Sequence, residues 1–214
     1  MRLAVMMPGQ GSQFVGMGRD LAAADARARE LFQRADEALG FSLSRVCWEG
    51  PEDELRRTEN AQPAILLHST ITWSLLPADV QSLAVCGAGH SLGEFSAYVA
   101  AGALELEDAL LLVRRRGELM AESGAERSGT MAAIIGLEPD AVSEACRVAS
   151  SSDSVAVPAN FNAPGQIVIS GDVPAVEAAM TEATALGARK VIPLNVSGAF
   201  HSPLMESARE GLSE

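Results

Sequence analysis

The chain has 214 residues, of which 48% are hydrophobic, so it can bury the core of one domain or of one domain with a small second lobe. Its formal net charge is −12, and only 4% of its residues are aromatic. This composition argues against nucleic-acid binding, which needs basic side chains for the phosphates and aromatic ones for stacked bases. An acidic partner would have to bind at a local basic patch.

The three cysteines, Cys47, Cys86 and Cys146, are isolated and odd in number, which predicts neither a zinc site nor a disulfide framework. Such cysteine usage is typical of a reducing compartment. The apolar start of the chain reaches Pro8 too soon for a signal peptide, and no apolar run approaches the length of a membrane span. We therefore expect a soluble, cytoplasmic protein without a metal ion.

The first half of the chain alternates short apolar runs with helical patterns. Two short buried strands are predicted, over residues 3–7 and 83–86, and glycine follows closely after each. Helices are predicted over residues 16–39, 63–76, 92–101 and 106–122. This alternation predicts an α/β fold in which helices cover both faces of a parallel sheet.

The pattern changes after Ser128. Strands are predicted over residues 130–137, 154–161, 166–170 and 189–194, and helices over residues 139–149 and 174–187. The order is β-α-β-β-α-β, the ferredoxin-like arrangement. We therefore expect residues 128–195 to form a small ferredoxin-like subdomain, inserted into a large α/β catalytic domain made of residues 1–127 and 196–214.

The motif Gly89-His90-Ser91-Leu92-Gly93 fits the pattern G-x-S-x-G, between a predicted strand and a predicted helix. In such a nucleophile elbow the glycines relieve crowding at a tight turn, and the serine hydroxyl stands clear of the sheet. The amide of Leu92 would face an oxyanion formed during attack on a carbonyl. The alternative is a turn without chemistry, but the context favours Ser91 as a nucleophile.

A serine nucleophile needs a base, and the chain has three histidines. His90 diverges from its neighbour Ser91 on a tight turn, and His68 falls within a predicted helix. His201 lies on a loop before Ser202-Pro203, a predicted N-cap and first helical residue, and is the better candidate base. A loop histidine without a role is the alternative. The aspartates between nucleophile and base are predicted to be caps or turn residues, so a backbone carbonyl is an alternative partner for the imidazole: Asp108, Asp140, Asp153 and Asp172.

A glycine-rich turn, Pro8-Gly9-Gln10-Gly11-Ser12-Gln13, follows the first predicted strand. Its glycine spacing is not the G-x-G-x-x-G of dinucleotide-binding proteins. An ordinary turn is one interpretation. We favour a turn in which the amide of Gln10 is a second oxyanion donor.

An arginine is predicted on the apolar face of a helix. Arg116 shares a narrow helical stripe with Ala109, Val113 and Met120, whereas the neighbouring arginines 114 and 115 point away from it towards solvent. A charge on an apolar face needs an anionic partner. That partner is either a structural carboxylate or the carboxylate of a substrate, which a guanidinium binds through two parallel hydrogen bonds.

Taken together, six segments resemble the malonyl-CoA:acyl carrier protein transacylases and the related acyltransferase domains of fatty acid and polyketide synthases. The segments occur in the family's order and span nearly the whole chain. They are Pro8-Gly9-Gln10-Gly11-Ser12-Gln13, Ala61-Gln62-Pro63-Ala64, Gly89-His90-Ser91-Leu92-Gly93-Glu94, Arg116-Gly117, Asn160-Phe161-Asn162-Ala163-Pro164-Gly165-Gln166 and Gly198-Ala199-Phe200-His201-Ser202-Pro203-Leu204-Met205.

The resemblance implies an acyltransferase that moves a malonyl group from malonyl-CoA to the phosphopantetheine thiol of acyl carrier protein. The reaction would be ping-pong, through an acyl-serine intermediate at Ser91, with His201 as base and acid. The amides of Gln10 and Leu92 would form the oxyanion hole, and Arg116 would bind the malonyl carboxylate.

The resemblance also implies that Gln62, Asn160 and Asn162 line the cleft. The pair Phe200-His201 and Leu92 after the serine resemble malonyl-selecting rather than methylmalonyl-selecting members. The implied fold is an α/β-hydrolase-like large domain with a parallel sheet, plus the inserted ferredoxin-like subdomain. No cofactor is implied, because the coenzyme A thioester is a substrate. Neither nucleic acid nor a membrane is an expected partner, and a monomer is expected.

Members of the family continue for several tens of residues past the position of Glu214. The resemblance thus implies that a C-terminal part of the large domain lies outside this chain, with a carbonyl that orients the histidine and a glutamine-containing motif. Two other functions share part of the pattern. A serine hydrolase such as a thioesterase would use the same elbow and base, and a module that only binds carrier protein would use neither.

Overall fold

A computed structural model describes residues 1–213 of the chain. The chain divides into two compact units, Met1–Glu118 and Leu119–Glu214, and the helix Leu106–Glu126 crosses the boundary. The predicted division into residues 1–127 with 196–214 and residues 128–195 stays a prediction. Within residues 1–213, no helix is both long and apolar enough to cross a bilayer.

The first unit contains a parallel two-stranded sheet and a set of helices. Its elements are β1 (Leu3–Met7), α1 (Arg19–Ala24), α2 (Ala26–Leu39), α3 (Leu43–Glu49), α4 (Glu52–Arg56), α5 (Thr58–Leu75), α6 (Ala78–Gln81), β2 (Ala84–Gly89), α7 (Gly93–Ala100) and the first part of α8 (Leu106–Glu126). The α/β class and the alternation of strands and helices predicted for this half are therefore confirmed.

The single helix predicted over residues 16–39 is wrong, because the chain breaks at Asp25. Asp25 has extended backbone angles, and its side chain accepts a hydrogen bond from the amide of Arg27 at the start of α2. A short polar side chain that caps an orphan amide stabilises a new helix start. The result is two helices, α1 and α2, in place of one.

Both predicted strands form, but they are less buried than expected. Met6 is 86% exposed and Val85 is 52% exposed, although Met7 at the end of β1 is buried. Among the described residues the sheet has only these two strands, so each strand keeps an unpaired edge. The expectation that both strands are buried is therefore wrong.

Helix α5 begins five residues earlier than predicted, so Pro63 lies inside it. A proline within a helix leaves the carbonyl four residues before it without its usual amide donor. Here that carbonyl belongs to Glu59, and the Arg114 Nη1 donates a hydrogen bond to it at 3.1 Å. A side chain from α8 thus compensates for the missing donor. The core of the unit packs around α5 through Ile65, Leu66, Leu67 and Ile71.

The second unit contains a four-stranded antiparallel sheet with two helices against it. Its elements after α8 are β3 (Gly129–Ile135), α9 (Pro139–Ala149), β4 (Ala156–Ala163), β5 (Gln166–Asp172), α10 (Val173–Ala185), β6 (Lys190–Leu194), a 3₁₀ helix (Pro203–Met205) and α11 (Glu206–Ser213). The strand order is β4-β5-β3-β6. The β-α-β-β-α-β order predicted for this segment is confirmed.

Asp172 departs from its predicted role as a cap. Although it precedes α10, its side chain does not cap that helix. Its two carboxylate oxygens accept hydrogen bonds from Arg127 Nε and Nη2 at 2.7 and 2.8 Å. One of these oxygens also accepts from the amide of Val155. Asp172 therefore ties the end of β5 to the start of β4 within the second unit.

Two of the three cysteines are buried, and burial changes their chemistry. Burial raises the pKa of the Cys47 thiol to about 12, to which the nearby Asp36 adds, and burial raises the pKa of Cys146 to about 11. Cys86 is exposed. Because the thiolate is the reactive form, we expect iodoacetamide at pH 8 to alkylate the native protein at Cys86 only, as read by peptide mass.

The same pKa shifts set a direction for stability. Unfolded thiols titrate near the ordinary value of 9.0, below the folded values. The neutral buried thiols therefore stabilise the fold fully below pH 9, and this contribution falls as the pH rises towards 11 and 12.

The control for the alkylation experiment is urea-unfolded protein, in which all three cysteines should react. Alkylation of Cys47 or Cys146 in native protein as fast as Cys86 would contradict the burial.

Candidate active site

Ser91 lies on a sharp turn between β2 and α7, as the motif predicts. It is one of two non-glycine residues within 1–213 with a positive φ, at 51°. The amide of His90 donates to the Met7 carbonyl at 3.1 Å, and the amide of Gly93 donates to the His90 carbonyl at 2.9 Å. The first bond holds the turn against the end of β1, and the second closes the turn itself. A serine held in a sparsely populated conformation is typical of a nucleophile elbow.

The flanking glycines are required because backbone atoms crowd the turn on all sides. A Cβ at Gly89 would lie 1.8 Å from the Gly93 carbonyl carbon, and one at Gly93 would lie 2.3 Å from the Met7 carbonyl oxygen. On the neighbouring loop, a Cβ at Gly9 would lie 2.4 Å from the His90 carbonyl oxygen. No larger residue fits these three positions unless the backbone moves.

We expect Gly89→Ala to destabilise the protein strongly, because its new methyl group would meet backbone rather than a side chain that can rotate away. The free energy of unfolding should fall by about 3 kcal/mol or more, measured by urea denaturation. The matched control is Gly87→Ala in the same strand, where a Cβ would lie 3.5 Å from Ala97 Cβ. The control should change stability by less than about 1 kcal/mol. Equal effects of the two substitutions would contradict the crowding at Gly89.

Two backbone amides are available for an oxyanion. Leu92 follows Ser91 at the start of α7, and Gln10 lies on the loop after β1. Within residues 1–213, neither amide donates a hydrogen bond to another backbone group. A helix N-terminus adds a favourable field for negative charge at Leu92. Amides without a backbone acceptor next to a nucleophile suit an oxyanion hole.

Arg116 reaches Ser91 directly. Its Nη2 donates a hydrogen bond to Ser91 Oγ at 3.1 Å, and its Nη1 donates to Gln62 Oε1 at 2.6 Å. Its guanidinium also lies 5.7 Å from the centre of the Phe95 ring. The helical stripe predicted the inward direction of this arginine correctly. Ala109 and Val113 on the same stripe are fully buried.

The environment of Arg116 leaves its charge short of a partner. Burial lowers the pKa of its guanidinium, and the carboxylate of Glu94 opposes that shift. No carboxylate within residues 1–213 forms an ion pair with Arg116. Of the two partners considered for it, the structural carboxylate is therefore not found among the described residues. A half-buried guanidinium beside a nucleophile is well suited to bind an anionic substrate group.

Arg114 is not the solvated arginine predicted from the helical stripe. It donates to Asn60 Oδ1 at 2.6 Å and forms an ion pair with Glu118 at 2.7 Å. Its guanidinium also stacks on Phe41, 5.0 Å from the ring centre. The stripe argument considers one helix alone and misses the neighbouring start of α5. Arg115, with 52% of its side chain exposed, points to solvent as predicted.

Thr58, which was not predicted as a site residue, connects Gln10 to Gln62 by hydrogen bonds, and Gln62 in turn contacts Arg116. The Thr58 hydroxyl donates to Gln10 Oε1 at 3.1 Å and accepts from Gln62 Nε2 at 3.0 Å. Thr58 and Gln62 are 1% and 0% exposed. Their spacing of four residues places them on the same helix face. That signal was available, but the predicted helix began at residue 63, after both of them.

His201 lies in the second unit, on a loop with unusual backbone. Its φ is 59°, the other positive value outside glycine within the described chain. Phe200 beside it is buried in the core of the unit. Ser202 Oγ accepts from the amide of Leu204, so the predicted N-cap of the helical turn is confirmed. The pairing of His201 with Ser91 stays a prediction.

The two asparagines of the predicted cleft also belong to the second unit. Asn160 and Asn162 lie on β4, which carries two irregularities in its pairing with β5, between Pro158 and Asn160 and between Phe161 and Ala163. Bulges of this kind re-aim side chains and are common near active sites. The role of Asn162 as a cleft residue stays a prediction.

Of the other two histidines, His68 lies within a helix as predicted. His68 is half-buried within α5, and burial lowers the pKa of its imidazole. His90 is exposed on the turn. Among residues 1–213, no group of three histidine, cysteine, aspartate or glutamate side chains could hold a metal ion.

Residues 5–214 match the acyl transferase domain family. The malonyl CoA-acyl carrier protein transacylase of Bacillus subtilis (strain 168) is 46% identical over 215 residues, which cover 100% of this chain and 67% of the relative. The Staphylococcus aureus (strain MSSA476) protein of the same name is 43% identical and is covered to 68% by an alignment over 99% of this chain.

Solved structures give the same result. The crystal structure of an acyl carrier protein S-malonyltransferase from Vibrio cholerae superimposes with a TM-score of 0.93 at 41% identity, covering 100% of this chain and 69% of that one. On the evidence of the domain match, the identities and this superposition, the chain belongs to the acyl transferase domain family and, within it, to the malonyl-CoA:acyl carrier protein transacylases.

Proposed function

We propose that the chain transfers a malonyl group from malonyl-CoA to the phosphopantetheine thiol of acyl carrier protein, through an ester of Ser91. The observation that carries this proposal is the hydrogen bond of 3.1 Å from Arg116 Nη2 to Ser91 Oγ. It places a cation beside the nucleophile. An acyl group on Ser91 that ends in a carboxylate would meet this guanidinium, whereas a neutral acyl group would leave it unpaired.

In the first half of the reaction, Ser91 Oγ attacks the thioester carbonyl of malonyl-CoA, and His201 takes the hydroxyl proton. The amides of Gln10 and Leu92 stabilise the negative oxygen of the tetrahedral intermediate. The carbon–sulfur bond then breaks, and coenzyme A leaves as a thiol with the proton from His201. The result is malonyl-Ser91, with its free carboxylate bound to Arg116.

In the second half, the carrier protein's thiol gives its proton to His201, and its sulfur attacks the ester carbonyl of malonyl-Ser91. The carbon–oxygen bond breaks, and His201 returns the proton to Ser91 Oγ. Acid, base and nucleophile are thereby restored, so no cofactor is consumed. The role of His201 rests on the family resemblance and on its loop between β6 and the 3₁₀ helix.

The side chains around Arg116 would keep its guanidinium in position to bind the substrate carboxylate. Gln62, which accepts from Arg116 Nη1, fixes the plane of the guanidinium. Asn162 is proposed to line the cleft from β4. Gln62 is also buried, so its amide is shielded from competing water.

The wider properties follow from the same proposal. We expect an α/β-hydrolase-like arrangement of the first unit, which its strand–elbow–helix order supports. A malonyl-transacylase solved in complex with its type II polyketide synthase acyl carrier protein, at 40% identity and a TM-score of 0.94, supports a carrier protein as partner. We also propose a cytoplasmic monomer.

The test is a rapid-mixing assay with malonyl-CoA, in which released coenzyme A is measured with and without holo acyl carrier protein. We expect one equivalent of coenzyme A in a burst, then slow release by hydrolysis, and fast continuous release when carrier protein is present. Malonyl should appear on the carrier protein thiol.

The other functions give different results in this assay. A thioesterase would release coenzyme A continuously at the same rate without carrier protein. A module that only binds carrier protein would release none. Either outcome would overturn the proposed transfer.

A further inference from the structure

A buried chain of hydrogen bonds links Gln10, on the loop after β1, to Arg116, the candidate carboxylate-binding residue. It runs from Arg116 Nη1 to Gln62 Oε1 (2.6 Å), from Gln62 Nε2 to Thr58 Oγ1 (3.0 Å), and from Thr58 Oγ1 to Gln10 Oε1 (3.1 Å). The two middle members are almost completely buried. Water therefore has no access to replace either of them.

The Gln62 amide can face its two partners in only one way. A guanidinium donates hydrogen bonds and never accepts them, so the Gln62 atom that faces Arg116 must be the carbonyl oxygen. The amide nitrogen of Gln62 then faces Thr58, whose oxygen accepts from it. The single hydroxyl proton of Thr58 is left for Gln10 Oε1. Thr58 is thus the one member that both accepts and donates through the same atom.

The packing of α8 against the start of α5 fixes the position of Thr58. A Cβ at Gly117 would lie 2.5 Å from Glu59 Cα and 2.9 Å from the Thr58 carbonyl oxygen, so the two helices approach closely beside Arg116. Arg114 holds the same turn through the Glu59 carbonyl and the Asn60 side chain. Thr58 therefore has little freedom to move when its partners change.

We propose that Thr58 is a positioning residue that determines acyl specificity. Its hydroxyl holds the Gln62 amide in the orientation that presents an acceptor to Arg116, and so holds the guanidinium beside Ser91. This inference rests on the proposed function, in which Arg116 binds the carboxylate of the acyl group. Thr58 itself does not touch the substrate.

The test uses Thr58→Val, which removes the hydroxyl and keeps the branched shape. We measure the ratio of the rate constant for acylation of Ser91 to KM. For malonyl-CoA we expect this ratio to fall by about tenfold or more. The same quantity for acetyl-CoA should fall by less than about threefold, because a neutral acyl group does not use Arg116 and because Gln10 loses a bond to its side chain, not to the backbone amide assigned to the oxyanion. Thr58→Ser, which restores the hydroxyl, should recover most of the malonyl rate.

The matched control is Thr70→Val in the same helix. Thr70 is also buried, but its hydroxyl has no hydrogen-bond partner among the described residues. Thr70→Val should leave the ratio of malonyl to acetyl rates unchanged. Should Thr58→Val not fold, Thr58→Cys serves in its place, because a thiol is a weak donor and a weak acceptor. It should show the same selective loss.

A crystal structure of the Thr58 variant gives a readout that does not depend on activity. We expect the Gln62 amide to rotate and its hydrogen bond to Arg116 to be lost. An unchanged bond, equal loss with both thioesters, or no rescue by serine would overturn the role of Thr58. Wild-type protein that is not acylated by malonyl-CoA would instead overturn the proposed function, and the crystal structure would still decide the hydrogen-bonding role.

Discussion

Ser91→Ala should reduce malonyl transfer to carrier protein by a factor of about 10³ to 10⁶, because the reaction loses the atom that carries the acyl group. The steady-state rate of malonyl appearance on the carrier protein is the measurement. The matched control is Ser96→Ala on the following helix. Ser96 is fully buried and its hydroxyl has no partner among the described residues, so its removal leaves no polar group unpaired.

The backbone conformation of Ser91 should also affect the stability of its variants. Ser91 has a φ of 51°, a region that glycine occupies at little cost. Ser91→Gly should therefore be more stable than Ser91→Ala by about 1 kcal/mol in urea unfolding, while both lack activity. Transfer by Ser91→Ala at a rate near that of the wild type would contradict the nucleophile. Equal stability of the two variants would contradict only the backbone strain.

Arg116→Ala should remove the preference for malonyl. Removing one partner of a desolvated charge pair costs about 2–5 kcal/mol, because the other charge is left unpaired, so acylation of Ser91 by malonyl-CoA should fall by roughly 10² to 10⁴. Acylation by acetyl-CoA should change by less than about tenfold, because the acetyl group has no carboxylate to lose a partner. Single-turnover acylation with each thioester is the measurement.

Two further variants sharpen this prediction. Arg116→Lys should recover only part of the malonyl rate, because an ammonium group lacks the planar pair of donors that now reaches Gln62 and Ser91. Arg115→Ala, on the solvent side of the same helix, should leave both rates near those of the wild type. Equal losses for malonyl-CoA and acetyl-CoA in Arg116→Ala would contradict the assignment of its guanidinium to the carboxylate.

Local chemistry allowed much of this architecture to be predicted from sequence. The run of apolar residues before Gly89 and the helical pattern after Gly93 predicted Ser91 on a strand-to-helix turn, and Ser91 lies between β2 and α7. Helical periodicity directed Arg116 inwards. The β-α-β-β-α-β order of the second unit followed from strand and turn signals such as Pro164-Gly165. Each of these signals lies within a few residues of the feature it specifies.

What could not be predicted depends on contacts between distant residues. Pro63 is tolerated inside α5 because Arg114, more than fifty residues later, donates to the carbonyl that the proline leaves free. The same long-range contact turned Arg114 away from solvent. Thr58 gained its place in the site only because α8 packs on the first turn of α5. Single-helix patterns contain no information about such neighbours.

The burial of β1 and β2 is a second property that depends on contacts between distant residues. Apolar side chains on β1 and β2 predicted burial, but burial also needs a covering element on each face and a partner at each edge. Among the described residues the sheet has two strands, and Met6 on β1 is exposed. Composition identifies a strand, and its neighbours decide how far it is buried.

The most direct test of the proposed mechanism is the mass of the peptide that contains Ser91, after brief incubation with malonyl-CoA and acid quenching. We expect this peptide to gain the mass of one malonyl group. Treatment with hydroxylamine should remove the adduct, and the Ser91→Ala variant should not form it. An unmodified Ser91 peptide, or an adduct on another residue that persists in Ser91→Ala, would contradict the acyl-serine intermediate.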